Sequence, residues 1–391
     1  MDDYVSTGSS NALNHNVYTK DIAITGMAGR FPMADDIEQF WSNIKNKVDS
    51  VRQLSNNRKK DLFDYLHFMN MDTKDIDLCE AGFLEQIDTF DYHFFDITPR
   101  EASLMDPSQR LFLETVWQAI EDAGYAADAI KGSNVGVYVG YIGESEYKKL
   151  IEHCSPSYMS LAVTGNCVPI TASRISYILD LKGPNMVINT SCSSSLTAVH
   201  LACKAILSGE CEAAVAGGVQ IHAIPFRKTA IGIEAPDGRS KSFDNSADGT
   251  GLGEGVGAVF LKPLDMAMRD RDNIYAVIKS SAMNQDGGSI GISAPNPIAQ
   301  SQLLVKCWND AGIDPETIAY IETHGTGTKL GDPVEINGIT RAFDNYTNKK
   351  QFCAIGALKS NIGHLDSAAG IAGFKGRFIS EEKENTAIYP F

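Results

Sequence analysis

Short apolar runs and amphipathic stretches alternate along this chain of 391 residues. The apolar run at residues 21–26 ends in a glycine and predicts a strand, and residues 36–51 show the spacing of one helical face. The apolar positions on that face are Ile37, Phe40, Trp41, Ile44 and Val48. Residues 55–80 are polar and irregular and predict a surface excursion, while the Ser/Asn-rich residues 1–19 predict a disordered arm or linker.

The remaining pattern predicts further strands and helices in alternation. Strands are predicted at residues 135–140, 186–190, 213–219, 256–264, 275–280, 318–322 and 352–357. Helices are predicted at residues 107–124, 193–208 and 334–343, and one more ends near Gly312. This alternation is typical of an α/β protein whose buried sheets are sandwiched between helices.

Charge and composition narrow the function classes. The chain has 34 basic and 49 acidic residues, a net charge of −15, which argues against a nucleic-acid surface built on bulk charge. No apolar run approaches the roughly 20 residues that span a membrane. The N-terminus is polar and begins with acids, unlike a secretory signal, so we expect the cytoplasm as the compartment.

The eight cysteines are scattered and form no C-x-x-C pair. That spacing argues against a disulfide scaffold and against a structural zinc site, so no metal is predicted. Most of the cysteines are expected to be buried small hydrophobes. Any functional cysteine must therefore be identified from its surroundings.

Cys192 lies where a predicted strand, Val187-Ile-Asn-Thr, gives way to a predicted helix. Backbone N–H groups and the positive end of the helix dipole converge there, and we expect them to lower the pKa of the thiol. The same N–H groups could bind an oxyanion on an attached acyl group. A capped core helix with an incidental cysteine is the alternative that this segment alone leaves open.

Two histidines and a lysine follow two later strands. His324 enters a Gly/Thr loop in Ile321-Glu-Thr-His-Gly-Thr-Gly-Thr, and His364 lies in Lys359-Ser-Asn-Ile-Gly-His-Leu-Asp366. One cysteine with two histidines suggests nucleophilic acyl chemistry. Zinc is the rival use of these ligands, but their separations along the chain do not fit a metal motif.

A glycine-rich run, Gly251-Leu-Gly-Glu-Gly-Val-Gly257, is similar to a phosphate-binding loop at first sight. It lacks the Lys-Ser/Thr of such a loop, and it precedes a strand instead of following one into a helix. A tight turn with close packing is the interpretation that we prefer.

Taken together, the motifs resemble those of the beta-ketoacyl synthase family of the thiolase-like fold, most closely the ketosynthase domains of modular polyketide synthases. Besides the Cys192 turn and the two histidine loops, the resemblance is carried by Phe94-Phe-Asp-Ile-Thr-Pro-Arg-Glu-Ala, Met105-Asp-Pro-Ser-Gln-Arg, Asp237-Gly-Arg-Ser-Lys-Ser-Phe-Asp, Asn284-Gln-Asp-Gly and Ala294-Pro-Asn. The motifs extend in order from about residue 21 to residue 374.

The resemblance implies a site and a reaction. Cys192 would take an acyl chain from a phosphopantetheine thioester on an acyl carrier protein. His324 and His364 would assist decarboxylation of a malonyl-type extender, whose carbanion attacks the acyl-cysteine, and Lys359 would support His364 electrostatically. The family binds no cofactor of its own, because the pantetheine arm arrives on its partner, and it usually forms a homodimer.

The implied fold is α/β, thiolase-like, with five αβαβα layers and two similar halves. The halves would be residues 20–265 and 266–374, followed by a non-matching tail at 375–391. The tail is charged, and the family's closing Gly-Phe-Gly-Gly-Thr-Asn type loop is missing, so we expect an incomplete second half and a truncated ketosynthase.

Two positions depart from the family pattern. Asp366 stands where a glutamate is common, which shortens an acid linked to Lys359 by one methylene, and Asn189 stands where an aspartate is usual before the Cys192 turn. Two alternative functions stay open at this point: an inactive ketosynthase remnant, and a thiolase-fold acyltransferase that uses coenzyme A thioesters.

Overall fold

The computed structural model describes residues 20–71, 78–143, 146–225, 232–378 and 386–388, apart from the side chains of residues 127, 375–378 and 386–388. The strands in these ranges are β1 (Ile22–Arg30), β2 (Val135–Gly140), β3 (Asn185–Ile188), β4 (Ala213–Gln220), β5 (Gly255–Pro263), β6 (Ala276–Ile278), β7 (Tyr320–Glu322), β8 (Ala354–Gly356) and β9 (Thr386–Ile388).

The α-helices of the same ranges are α1 (Ile37–Lys45), α2 (Asn56–Phe68), α3 (Pro99–Leu104), α4 (Pro107–Asp122), α5 (Ala127–Ile130), α6 (Glu146–Cys154), α7 (Met159–Asn166), α8 (Ile170–Ile178), α9 (Ser194–Ser208), α10 (Leu264–Asp270), α11 (Pro297–Ala311), α12 (Gly331–Phe343), α13 (Lys359–Ile362) and α14 (Ala369–Phe378). None of these helices has the length and apolar character needed to cross a membrane.

Two sheets organise the described chain. The larger has the strand order β3-β2-β4-β5-β1-β6, and the smaller has the order β8-β7-β9. Strand β2 is parallel to both β3 and β4, just as β7 is parallel to both β8 and β9. The two halves thus repeat the same parallel arrangement, while β5 and β1 extend the larger sheet with antiparallel pairing.

Helices cover both faces of the larger sheet and separate it from the smaller one. Helices α4 and α8 pack on one face of the larger sheet, and α9 and α14 pack on the other. Helix α14 also contacts β7, and α11 and α12 close the far side of the smaller sheet around Trp308 and Ile321. The order helix, sheet, helix, sheet, helix confirms the five-layer prediction.

The predicted surface excursion at residues 55–80 is wrong for its first part, which forms α2. Leu62 and Leu66 of this helix are buried, and the Arg58 guanidinium forms a buried ion pair with Glu254 at 2.6 Å. The apolar stripe of the helix is weak because one of its three buried residues, Arg58, is charged. The arm predicted at residues 1–19 and most of the tail lie outside the described residues.

Candidate active site

The carboxyl ends of three parallel strands bring the candidate residues together. Cys192 follows β3, His324 follows β7, and Lys359 and His364 follow β8. Sites of α/β proteins commonly form where such strand ends meet. Cys192, His324 and Lys359 line one cavity, whose wall is completed by residues of α9 and α14.

A strained turn places Cys192 at the start of α9. Ser191 adopts a left-handed backbone conformation (φ 56°), which is unusual for a residue with a side chain and typical of functional sites. Asn189 Oδ1 accepts the Ser191 N–H at 3.1 Å, and Ser194 Oγ accepts the Thr190 N–H at 2.9 Å. The amide of Asn189 therefore holds the turn that presents the sulfur.

Glycines on the larger sheet let the start of α9 come close. A Cβ at Gly140 would lie 2.4 Å from the Ser195 nitrogen, and one at Gly218 would lie 2.7 Å from the Ser195 Cβ. A side chain at either position would push the helix start, and with it Cys192, away from the sheet.

Two buried acids of α12 shape the loop that carries His324. The Glu335 carboxylate accepts the N–H groups of His324 and Gly325 at 2.6 and 2.8 Å. Asp332 accepts the Gly327 N–H at 3.1 Å and the Phe243 N–H at 2.7 Å. These two acids have no role in the sequence prediction, although their position at the start of a helix directly after the loop is a usable signal.

His364 is fixed by backbone hydrogen bonds to the glycine-rich segment 251–257. Its N–H donates to the Gly251 carbonyl at 2.7 Å, and its carbonyl accepts the Gly253 N–H at 2.9 Å. Its Nδ1 accepts the Asp366 N–H at 2.9 Å, so a neutral His364 must carry its proton on Nε2. The glycine-rich run is closely packed, as predicted, but it is extended and not a turn, because Gly253 and Leu252 form bridges to Gly82 and His364 and β5 begins at Gly255. It supports a site residue.

The three reactive groups lie within a few ångströms of one another. The Cys192 Sγ lies 3.9 Å from His324 Nε2, and one atom each from Cys192, His324 and His364 falls within 4.8 Å of the others. The two imidazole rings are nearly perpendicular, with centroids 5.6 Å apart. The structure therefore brings Cys192, His324 and His364 close together, and Lys359 lines the same cavity as Cys192 and His324.

Burial and the Lys359 ammonium keep both histidines neutral. Burial, reinforced by the nearby Lys359 cation, lowers the pKa of His364 to about 3 and moves the pKa of His324 well below its ordinary value. Burial also lowers the pKa of Lys359, against the opposing effect of the carboxylates of Glu322 and Glu335.

The expectation of a lowered Cys192 pKa is wrong. Burial raises the pKa of the Cys192 thiol, although the Lys359 ammonium and the cysteine's own N–H act in the opposite direction. Removal from water outweighs the charge effects because a thiolate loses its hydration in the pocket. The resting pair is therefore a neutral thiol beside a neutral imidazole.

The same three side chains could in principle approach a metal ion together. The raised pKa of the Cys192 thiol and the Lys359 cation in the same cavity both oppose that use, because a metal needs a thiolate and is repelled by the ammonium. A nucleophile with an adjacent proton acceptor fits this chemistry better.

Two family models match the chain. The model described as beta-ketoacyl synthase, N-terminal domain, matches residues 19–267, and the model described as beta-ketoacyl synthase, C-terminal domain, matches residues 275–379. The second match extends five residues past 374, the position at which the sequence argument ended the resemblance.

Relatives with sequence similarity are polyketide synthases. The chain is 46% identical over 365 residues to the polyketide synthase PksL of Bacillus subtilis, a match that covers 91% of this chain and 8% of that protein. It is 43% identical over 358 residues to the polyketide synthase ThaG of Burkholderia thailandensis, covering 90% of this chain and 6% of that protein. The chain thus spans less than a tenth of the length of these two relatives.

Solved structures with the same fold are ketosynthases. The ketosynthase from module 6 of the bacillaene synthase of Bacillus subtilis superposes with a TM-score of 0.79 at 38% identity, covering 95% of this chain and 66% of that one. An oxazolomycin ketosynthase domain from Streptomyces albus gives a TM-score of 0.81 at 39% identity, covering 91% of this chain and 63% of that one.

Proposed function

This chain belongs to the beta-ketoacyl synthase family, and from that premise we propose that it catalyses the decarboxylative Claisen condensation of an acyl chain with a malonyl-type extender. The product is a 3-oxoacyl thioester two carbons longer, for polyketide or fatty-acid biosynthesis. The observation that carries the proposal is the Cys192 sulfur at the start of α9, 3.9 Å from the neutral His324 imidazole.

In the first step Cys192 accepts the acyl chain. The sulfur attacks the thioester carbonyl as His324 Nε2 takes the thiol proton, because neither group is charged at rest. The bond from Sγ to the carbonyl carbon forms, the bond to the pantetheine sulfur breaks, and the proton leaves with the pantetheine thiol. Backbone N–H groups at the start of α9 stabilise the oxyanion of the transition state.

In the second step the malonyl-type group loses carbon dioxide and leaves an enolate. Because His364 Nδ1 accepts a backbone N–H, the proton on Nε2 is the one that can be donated to the enolate oxygen. The carbanion attacks the acyl-cysteine carbonyl, the Sγ–carbon bond breaks, and the Cys192 thiolate leaves and takes up a proton from solvent, which balances the carboxylate charge lost with the carbon dioxide. His324 lies beside His364 and contributes the second polar side chain near the enolate oxygen.

Lys359 acts through its charge in both steps. Its field lowers the pKa values of His324, His364 and Cys192 alike, so it favours neutral imidazoles and an anionic sulfur leaving group. A lysine that stays charged beside two neutral histidines is therefore part of the proposed mechanism.

The partners follow from the chemistry of the substrates. We infer that an acyl carrier protein brings both thioesters on a phosphopantetheine arm, so that the chain needs no cofactor of its own. We also infer a homodimer, supported by β3, which is one of the two edge strands of the larger sheet among the described residues and exposes Met186. Light scattering on the purified chain tests the homodimer.

The function is tested by incubating the purified chain with an acyl thioester on a pantetheine arm and measuring its intact mass. We expect one acyl adduct, no adduct with Cys192→Ala, and an unchanged adduct with the control Cys353→Ala. Addition of a malonyl thioester should then release a 3-oxoacyl product from the parent. In His364→Ala we expect this rate to fall by about 100-fold or more, because the variant lacks one hydrogen-bond donor to the oxyanion.

Each alternative gives a different outcome in the same assay. Faster loading from a coenzyme A thioester than from a carrier-bound thioester would favour a coenzyme A-dependent acyltransferase. A folded chain that forms no Cys192 adduct from either donor would contradict the proposal and indicate an inactive remnant.

A further inference from the structure

Glu322 is the acid of the cavity to which the proposed reaction gives no role. It is the last residue of β7, two positions before His324, and its side chain lines the same cavity as Cys192 and Lys359. Burying a carboxylate without a partner costs several kcal/mol or more of folding free energy. A buried acid in the cavity therefore needs partners that stabilise it.

The carboxylate of Glu322 is held in place at both oxygens. Oε1 accepts the Leu358 N–H at 2.7 Å, and Oε2 accepts the Tyr320 hydroxyl at 2.6 Å. Leu358 directly precedes Lys359, so the carboxylate is tied to the backbone at the base of the lysine side chain. Tyr320 and Glu322 lie on the same face of β7 because side chains alternate along a strand.

Two glycines make room for this arrangement. A Cβ at Gly356 would lie 2.0 Å from the Tyr320 hydroxyl oxygen, and a Cβ at Gly373 on α14 would lie 3.2 Å from the Glu322 Cγ. Neither glycine has a positive φ, so the backbone does not require glycine at these positions. What the two glycines provide is space for the neighbouring side chains. The fold thus accommodates an anchored carboxylate beside Lys359 from three elements, β7, β8 and α14.

The groups around Lys359 explain why an acid is needed there. Lys359 faces carboxylates from β7 and α12 (Glu322, Glu335 and Asp332), the Cys192 thiol, and the imidazoles of His324 and His364, with Asp366 beside His364. Both Glu335 oxygens are engaged by the His324 loop. Among the carboxylates, Glu322 has the largest effect in favour of the charged form of Lys359. Burial raises the pKa of Glu322 itself, against the hydrogen bonds from Tyr320 and Leu358 and the charge of Lys359, which lower it.

We propose that Glu322 is a positioning residue of this site, whose anchored carboxylate lies in the cavity as the counter-charge of Lys359. The proposal rests on the proposed condensation for its purpose, since that reaction needs a cation beside two neutral imidazoles. The family resemblance instead implies Asp366 as the acid linked to Lys359. Asp366 lies next to His364, with its Oδ1 3.6 Å from His364 Nδ1.

The test measures the protonation of Lys359 directly and does not require turnover. The folded chain is labelled with trace acetic anhydride from pH 7 to 11, and acetylation of Lys359 is quantified by peptide mass spectrometry, since only the neutral amine reacts. In Glu322→Gln we expect the labelling midpoint to move to lower pH by about one unit or more. Glu322→Asp, which keeps the charge, should lie between this variant and the parent.

Two comparisons make the outcome decisive. Glu316→Gln removes an acid that pairs with Lys349 on the surface, and it should leave the Lys359 midpoint where it is in the parent. If Glu322→Gln does not fold, Tyr320→Phe removes one anchor of the carboxylate and should shift the midpoint in the same direction. A folded Glu322→Gln variant with the parent's midpoint would overturn the proposal.

The pH profile of condensation separates this proposal from the proposed function. Because Lys359 acts as a cation, condensation activity should fall as the pH rises. In Glu322→Gln we expect this alkaline fall to begin at a lower pH than in the parent. If Glu322→Gln shifts the labelling midpoint of Lys359 but the parent chain does not condense, the role of Glu322 is supported and the proposed condensation is rejected. A uniform loss of activity with unshifted midpoint and profile would show that Glu322 is merely structural.

Discussion

At the scale of single residues, the neutral state of His364 couples folding to pH. The side chain is buried, and its pKa falls from 6.5 to about 3 on folding, so the unfolded chain binds a proton that the folded chain does not. A depressed pKa of this kind contributes stability that is fully present above pH 6.5 and is lost as the pH falls toward 3. Between pH 7.5 and pH 5 this single group should cost about 2 kcal/mol.

We therefore expect His364→Gln, which cannot take up a proton, to lose about 2 kcal/mol less free energy of unfolding over that interval than the parent. Urea unfolding at pH 7.5 and pH 5 measures the difference. His67→Gln is the matched control, because His67 is exposed on α2. Equal pH dependence in His364→Gln and the parent would show that His364 is not held neutral by the fold.

The same residues show how far sequence reasoning reaches. Cys192, His324, His364 and Lys359 were predictable, because each follows a strand end in a loop of distinctive composition. The sign of the Cys192 pKa shift was not predictable, because it depends on how deeply neighbouring layers bury the sulfur. Glu322 was missed for a related reason: its value lies in the contacts to Leu358 and Tyr320, which the spacing of residues does not reveal.

At the scale of elements, α2 depends on one buried charge pair. Arg58 is 9% exposed and Glu254 is fully buried, and the guanidinium also donates to the carbonyls of Leu84 and His222. Glu254 belongs to the glycine-rich segment 251–257, which hydrogen-bonds to the backbone of His364. The ion pair therefore connects α2 to the segment that supports His364.

We expect Arg58→Leu to destabilise the protein by about 3–5 kcal/mol, because it leaves the Glu254 carboxylate buried without its cation. Chemical denaturation measures the change. Lys60→Ala on the same helix is the control, since Lys60 and Asp64 form an exposed pair that should contribute little. If Arg58→Leu were as stable as Lys60→Ala, the buried pair would not anchor the helix.

The contrast with α4 explains why α2 escaped prediction. Helix α4 begins at Pro107 after the cap Asp106 and buries Leu111, Val116 and Ile120, so its apolar period and its end signals agree. Helix α2 buries Arg58 with Leu62 and Leu66, and its N-cap Ser55 makes no side-chain capping bond. Periodicity identifies helices that dock through apolar stripes, and it overlooks one that docks through an ion pair.

At the scale of the whole molecule, the site exists only where the two halves meet. Cys192 comes from the half built on the larger sheet, whereas His324, Lys359 and His364 come from the segment that forms the smaller sheet. The two halves touch through α9 and α14 in the central layer. The packing of those two helices therefore sets the distance between the nucleophile and its histidines.

Gly370 on α14 and Leu196 on α9 provide a direct test of that packing. A Cβ at Gly370 would lie 2.5 Å from the Leu196 Cγ, so Gly370→Ala should destabilise the protein by about 1–3 kcal/mol, despite the better helix propensity of alanine. Truncation of Leu196 to alanine removes the two nearest atoms in conflict and leaves Ser195 Oγ 3.0 Å from the new Cβ. In that background Gly370→Ala should cost less than in the parent, a coupling of about 0.5–3 kcal/mol in a double-mutant cycle measured by denaturation.

The cycle also predicts activity. If the contact between α9 and α14 sets the distance from Cys192 to its histidines, Gly370→Ala alone should slow acylation of Cys192 under conditions without denaturant in which the variant remains folded. Leu196→Ala in the same chain should restore part of the acylation rate. Additive stabilities and unchanged acylation would mean that the halves adjust elsewhere. The distance from Cys192 to His324 would then be set within the loops themselves, by the Ser191 turn and the Glu335 contacts, and not by the central helix layer.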